Sequence, residues 1–335
     1  FFAHGGYKLP DQVEDQIQEL LNTPWDRPTG AAVGEVEYDD DWAEKSYIEH
    51  LMTSLGTDLH GLRIAVDCAN GGASFLAPEA FRQAGADAVV INAAPDGRNI
   101  NDKAGSTHPE QLQALTVASE ADFGVAYDGD ADRCLAVDRH GNLVDGDKIM
   151  GALAVHMRDE GQLAKDTLVV TVMSNLGLIL AMQEAGIKTI QTGVGDRYVL
   201  EAMLEGGYSL GGEQSGHIIA KKYATTGDGI LSSLLLARMV KESGRDLADL
   251  TGFIKRLPQT LINVGGVDRT RAATDPTVAE AVAAAEAVLG NTGRVLLRPS
   301  GTEPLVRVMV EAATHAQADG VASRLADVVK ENLAL

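Results

Sequence analysis

The sequence is short of cysteine, of basic charge and of long apolar runs, and each shortage excludes something. Only Cys68 and Cys134 are present, too few for a disulfide framework, so a reducing cytoplasm is the expected location. Lys and Arg total 28 against 48 Asp and Glu, a formal net charge of −20. Such a surface excludes a general nucleic-acid or anionic-membrane binder, whose phosphate contacts need a basic face. Any phosphate must then be gripped by a local cluster of Arg and backbone N–H groups. No apolar run approaches the roughly 20 residues that span a bilayer. The nearest, residues 168–182, is interrupted by Ser174-Asn175 and Gly177. Neither a signal peptide nor an initiator Met is present, and the opening at Phe1-Phe2 leads us to expect a fragment.

What is there suits a folded, multidomain chain. Its 335 residues, 45% hydrophobic and 23% charged, suggest two or three domains. Residues 1–38 read as a short strand, then a helix with Val13, Ile17, Leu20 and Leu21 on one face, then a linker with Pro24, Pro28, Gly30 and Gly34. We take this stretch as the remnant of an N-terminal domain. Residues 39–147 alternate helix and strand, with strands expected at 62–66, 122–127 and 134–137. Residues 148–256 repeat the rhythm, with strands at 168–172 and 189–191, a helix from Asp196 and a buried helix over 231–240, a weak internal repeat. Residues 257–335 read as a smaller unit. A helix runs from Asp275-Pro276 to a stop at Gly290, Val306, Val308 and Val310 alternate as in a half-exposed strand, and Val321, Leu325 and Val329 mark a last helix. The expected fold class is α/β: two related layered α/β domains, then a small α+β domain, with the remnant of a further α/β domain in front.

Three loops carry chemistry. Asp128-Gly129-Asp130-Ala131-Asp132-Arg133 puts three carboxylates at spacing two on a turn between apolar strands, where they can converge on one hard cation. An EF-hand would need Gly at the sixth position and Glu at the twelfth, and Arg133 and Arg139 stand there. Mg²⁺ is the favoured ligand, an acidic surface turn the alternative, and Arg133 could neutralise a phosphate oxygen. Arg298-Pro299-Ser300-Gly301-Thr302-Glu303-Pro304, followed by Arg307, offers two guanidinium groups, two hydroxyls and a glycine turn, a phosphate cradle or else a plain surface turn. In Gly211-Gly212-Glu213-Gln214-Ser215-Gly216-His217, Glu213 can accept from adjacent sugar hydroxyls, Ser215 can donate or accept, and His217 can shuttle a proton. Two further turns are weaker. The turn over 192–197 could bring Arg197 to a ligand or merely cap a helix. Asp67-Cys68-Ala69-Asn70-Gly71-Gly72 lacks the spacing of a nucleotide loop and reads as a structural elbow. The other seven histidines show no metal-ligand spacing.

Taken in order along the whole chain, these loops resemble those of the α-D-phosphohexomutase superfamily, and within it the branch acting on glucosamine phosphates. The resemblance implies four domains around a deep cleft and transfer of a phosphoryl group between C6 and C1 of a hexose, through a phosphoserine and a bisphosphorylated sugar. It implies Mg²⁺ on Asp128, Asp130 and Asp132, catalytic parts for Arg133 and His217, and sugar contacts from Arg197, Glu213, Ser215 and His217. It also implies a distal phosphate on Arg298, Ser300, Gly301, Thr302 and Arg307. The family's nucleophilic serine lies in a Ser-His-Asn-Pro type loop that this sequence does not contain, so these residues are expected to be inactive alone, the parent being longer by roughly 100 residues. Phosphomannomutase or phosphoglucomutase activity, and a non-catalytic sugar-phosphate-binding protein, stand as alternatives. The expected partners are a hexosamine phosphate and the sugar bisphosphate, with no nucleic acid or membrane, and a homodimer is left open.

Overall fold

The computed structural model describes residues 3–37, 42–300 and 303–335. The chain divides into two compact units, one of Phe1–Met173 with Ala185–Phe253, the other of Ser174–Glu184 with Ile254–Leu335. The first opens with helix α1 (Asp11–Leu21), on which Leu20 and Leu21 are exposed, and α2 (Trp42–Leu55), which buries Ile48, Leu51 and Leu55. Its first sheet holds β1 (Arg63–Asp67), β2 (Asp87–Ile91), β3 (Phe123–Tyr127), β4 (Cys134–Asp138) and β5 (Leu143–Val144), with α3 (Ala73–Gln83) and α4 (Glu110–Ala118) as the crossovers. The strand order is β2-β1-β3-β4-β5, parallel from β2 to β3 and antiparallel beyond. Ile64–Val66 and all of β3 are buried, as strands covered on both faces must be, and their sequences are unbroken apolar runs for that reason.

Helix α5 (Gly146–Asp159), capped by the Asp145 side chain on the Lys148 N–H, leads to the second sheet. That sheet contains β6 (Thr167–Thr171), β7 (Lys188–Thr192), β8 (Leu210–Gly212) and β9 (Ile218–Ala220). Between them the chain forms α6 (Leu176–Glu184), which belongs to the other unit, and α7 (Asp196–Gly206). The order is β7-β6-β8-β9, with β6 parallel to both neighbours and β9 folding back on β8. Both sheets therefore share one core: a first strand flanked in parallel by the second and third, and a fourth returning antiparallel on the third. The repeat that shows in the sequence only as rhythm is a repeat of topology. Helix α8 (Gly229–Ser243) is buried along most of its length, and its cap Asp228 also accepts a hydrogen bond from Tyr47 Oη at 2.9 Å. The short α9 (Leu247–Thr251) closes the unit.

The second unit is an antiparallel sheet, β10 (Gln259–Gly265), then after α10 (Pro276–Leu289) the hairpin β11 (Arg294–Pro299) and β12 (Leu305–Glu311), followed by α11 (His315–Asn332). The order is β10-β12-β11. Asp275 accepts from the N–H groups of Thr277 and Val278 and Pro276 opens α10, while Gly290 stops it at φ +55°, as the sequence signals predict. Val306, Val308 and Val310 meet Val321, Leu325 and Val329 in the core. The expectation of a half-exposed β12 is corrected here. It is the central strand, and from Val306 on only Arg307 is partly open.

The reason lies in Glu311, which is fully buried. Arg294, directly across on β11, grips it bidentately through Nε and Nη2, at 2.8 and 3.1 Å, and also donates to the Ser174 carbonyl. The Leu176 N–H and the Asn175 amide complete the shell at 2.8 and 3.2 Å. Asn175 in turn exchanges hydrogen bonds with the backbone of Leu257. This carboxylate is what draws Ser174–Glu184 into the C-terminal unit. A buried charge robbed of its partner is costly, so Arg294→Met should destabilise this unit by about 3–5 kcal/mol. Thermal unfolding checks it, and Arg294→Met combined with Glu311→Leu should recover much of the loss.

Candidate functional site

The turn between β3 and β4 places carboxylate oxygens of Asp128, Asp130 and Asp132 within 4.8 Å of one another. Three like charges so close need help. The Arg133 N–H donates to Asp128 Oδ1 at 3.2 Å, and its Nε lies 3.6 Å from Asp128 and 3.8 Å from Asp132. Burial, then the charges of Asp132 and Asp130, push the Asp128 carboxyl up to about 6. Asp132 is held below the usual carboxylate range, chiefly by its hydrogen bond with His217. Its other oxygen, Oδ1, is buried and accepts no hydrogen bond. An orphaned carboxylate oxygen facing two more carboxylates is what a hard divalent cation with oxygen ligands requires, so the residues present fit such an ion.

Neighbouring loops hold the turn by close approach. Gly72 N–H donates to the Gly129 carbonyl at 2.8 Å, and a Cβ at Gly71 would run into that same carbonyl. The 67–72 segment is thus the elbow the sequence suggests, with the buried Asp67 tying its own end to the N–H groups of Ala69 and Gly105. From the other side comes the loop joining β8 and β9. Cys134 N–H donates to Gly216 O, Gly146 N–H to Gln214 O, and at φ +94° Gly216 fits where a side chain would collide with Cys134.

That loop brings His217 to the cluster. The residue is buried, 2% exposed. Its Nδ1 lies 2.9 Å from Asp132 Oδ2, and its Nε2 accepts from the Gly227 N–H at 3.0 Å. With Nε2 an acceptor, Nδ1 carries the proton and donates it to Asp132. Both ring nitrogens are engaged by the protein, an arrangement in which His217 orients Asp132. Glu213 accepts from the Gly195 N–H at 3.2 Å and from Ser215 Oγ at 3.4 Å, so the Gly193–Asp196 turn, the weaker motif by sequence, is stitched to this loop. Arg197 pairs with Glu201 on its own helix at 3.0 Å.

The remaining candidates lie in the second unit. Arg298 and Arg307 are cross-strand partners on β11 and β12, and like charges directly opposite repel. Among the described residues Arg307 has only a 4.0 Å approach to Glu303, and no carboxylate pairs with Arg298. Ser300 is buried, and its Oγ accepts from the Glu303 N–H. Gly301 and Thr302 lie outside the described residues. Sequence reasoning missed Arg269, whose guanidinium donates to the carbonyls of both Ser300 and Glu303 and so joins the two shoulders of the loop. It also missed the ion pair of Lys8 with Asp196. Neither has a local signature, since the partners lie 31 to 188 residues apart. A second metal-like group, His156, Glu160 and Glu242, went unread as well. Arg238 already contacts both of its carboxylates, at 3.3 and 2.8 Å, and would oppose a cation there.

Comparison with known proteins gives consistent matches. The phosphoglucomutase/phosphomannomutase alpha/beta/alpha domain II matches residues 45–141, domain III residues 145–257 and the C-terminal domain residues 261–328. A phosphoglucosamine mutase of Bifidobacterium longum subsp. infantis is 60% identical over all of this chain and 75% of its own length. That of Streptomyces coelicolor is 56% identical over 99% of the chain and 75% of its own length. Among solved structures, an Aspergillus fumigatus N-acetylphosphoglucosamine mutase in complex with GlcNAc-6P and magnesium superposes with a TM-score of 0.72 at 23% identity, over 86% of this chain and 66% of its own. A Burkholderia thailandensis phosphoglucomutase/phosphomannomutase family protein gives 0.75 at 22%, over 98% of this chain and 71% of its own. These two likenesses establish the fold. The chain thus spans about three quarters of the curated relatives' length and about two thirds of the solved chains.

The close loop contacts generate a prediction. Gly71→Ala should force the Gly129 carbonyl aside, costing about 1–3 kcal/mol as overpacking does. It is read as a lowered melting temperature, with Gly265→Ala, where nothing lies within 4 Å, as the neutral control.

Proposed function

Because this chain belongs to the phosphoglucosamine mutase family, a family of isomerases, we propose that it supplies the metal, sugar and distal-phosphate parts of an enzyme that interconverts glucosamine 6-phosphate and glucosamine 1-phosphate. The observation that carries this reading is the carboxylate cluster with its orphaned Asp132 oxygen. Asp128, Asp130 and Asp132 hold Mg²⁺. When bound, the ion neutralises charge on phosphoryl oxygens. Arg133, part-exposed beside the carboxylates, adds a guanidinium for the same oxygens. His217 keeps Asp132 aimed, as the partners of metal ligands do. Glu213 and Ser215 keep lone pairs for sugar hydroxyls, and the fixed Gly193–Asp196 turn holds Glu213 in place while Arg197 borders it.

In the second unit the repelling Arg298 and Arg307 take the phosphate that does not react, which relieves their mutual repulsion, with Ser300, Gly301 and Thr302 completing the cradle. Glucosamine is favoured over glucose and mannose by the loop resemblance and by the phosphoglucosamine mutases that the chain matches at 56–60% identity, and a comparison of kcat/KM among the three phosphates in the complete protein decides it. The three loop-bearing segments, 39–147, 148–256 and 257–335, each bring one site. With two free thiols, both buried, a cytoplasmic setting suits the chain. Phosphoryl donation needs a serine outside these residues, so turnover by the chain alone should be nil, and measurable product from it would contradict this.

Two predictions follow from the division of labour. Asp130→Asn should weaken binding of Mn²⁺, a visible stand-in for Mg²⁺, by at least about tenfold, and in the complete protein it should remove metal-dependent turnover. Undiminished affinity and turnover would sink the metal assignment. Arg307→Ala should raise the dissociation constant for a hexose 6-phosphate by about 10–100-fold, as loss of a hydrogen-bonded charge does, while leaving Mn²⁺ affinity unchanged.

A further inference from the structure

We propose that Lys8 and Asp196 are positioning residues for the carboxylate cluster, through which the N-terminal segment is registered on the metal site by way of His217. The inference rests on the metal reading above. All the groups involved belong to the first unit. Asp196, the first residue of α7, forms an ion pair with Lys8. The same oxygen, Oδ2, lies 3.5 Å from His217 Nε2. On its opposite edge the imidazole donates from Nδ1 to Asp132 Oδ2 at 2.9 Å.

The ring is wedged in place: its side chain is 3% exposed, and a Cβ on Gly227 would run into it. Two carboxylates therefore flank one buried imidazole, and only Asp132 receives its proton. The other, Asp196, closes the Nε2 edge of the ring, with its charge against that face. Lys8 offsets that charge. Held by the ammonium, Asp196 keeps the imidazole seated against Asp132, and Asp132 Oδ1 stays directed at the cluster. The Arg197 N–H holds the second Asp196 oxygen at 2.8 Å, so the carboxylate has no freedom to turn away from the ring.

The segment that carries Lys8 is seated at a second point. Thr225 Oγ1 donates to the Gly6 carbonyl at 2.5 Å, with Gly6 at φ +77°, a conformation side chains disfavour. Between these points Tyr7 and Pro10 cover a cavity of about 180 Å³ floored by Leu200, Leu204 and Ile219. Residues 188 positions apart are thus joined beside the metal turn. A shift of the N-terminal segment would be felt at Asp132.

Mn²⁺ titration of this chain, followed by electron paramagnetic resonance, tests the proposal without any need for turnover. Lys8→Met and Asp196→Ala should each weaken Mn²⁺ binding by about three- to tenfold, less than loss of a direct outer-shell partner. Lys8→Arg should restore it, and the Lys8→Met/Asp196→Ala double variant should be no weaker than either single one. Lys8 is part-exposed, so its variants test the proposal even if Asp196→Ala folds poorly. Wild-type affinity in both single variants, failure of Lys8→Arg to rescue, or losses that multiply in the double variant would overturn it. Absence of Mn²⁺ binding by the wild type, or full binding by Asp130→Asn, would instead overturn the metal reading, and this inference with it.

Discussion

Crowding three carboxylates onto one six-residue turn is the constraint on which the larger unit depends. Left to themselves, Asp128, Asp130 and Asp132 would repel, and after burial it is the neighbouring charges that push the Asp128 carboxyl up. The fold answers by surrounding the turn with donors rather than by separating the charges. Arg133 leans on two of the carboxylates, His217 donates to Asp132, and the glycines at 71 and 216 let backbone come close enough to fix the turn's shape. One position is left unsatisfied, Asp132 Oδ1, and that vacancy in the hydrogen bonding is where the chemistry points.

The second unit solves a related problem with the opposite outcome. Glu311 is buried as deeply as any residue in the chain, yet every part of its charge is met, by Arg294, Asn175 and the Leu176 backbone. It is a structural charge, fully compensated and closed to ligands. Arg298 and Arg307, a few residues along the same hairpin, are left facing each other. Saturation at one end of a hairpin and deliberate imbalance at the other separate what holds the unit together from what can hold an anion.

Much of this was legible in the sequence, and the parts that were not share a cause. The clustering of three carboxylates could be read because they alternate along one short turn, and α10 because Asp275-Pro276 and Gly290 are local signals. The exposure of β12 was misjudged because alternation reports one face only, and on the other Glu311 is met by Asn175 and Leu176, more than 100 residues away, whose arrival no local pattern announces. The surroundings of His217 were hidden for the same reason: its type suggests proton transfer, while its partners, Asp132 and the Gly227 N–H, come from separate loops. The turn before α7 looked weak alone and gained meaning only when Gly195 met Glu213 and Asp196 met Lys8.

The account stands or falls on where a divalent cation sits. The most direct measurement is a crystal structure of this chain grown with Mn²⁺, with anomalous scattering used to place the ion. One peak coordinated by Asp128, Asp130 and Asp132, with Asp132 Oδ1 among its ligands, is the predicted result. A peak at His156, Glu160 and Glu242 instead, or none at saturating Mn²⁺, would contradict it.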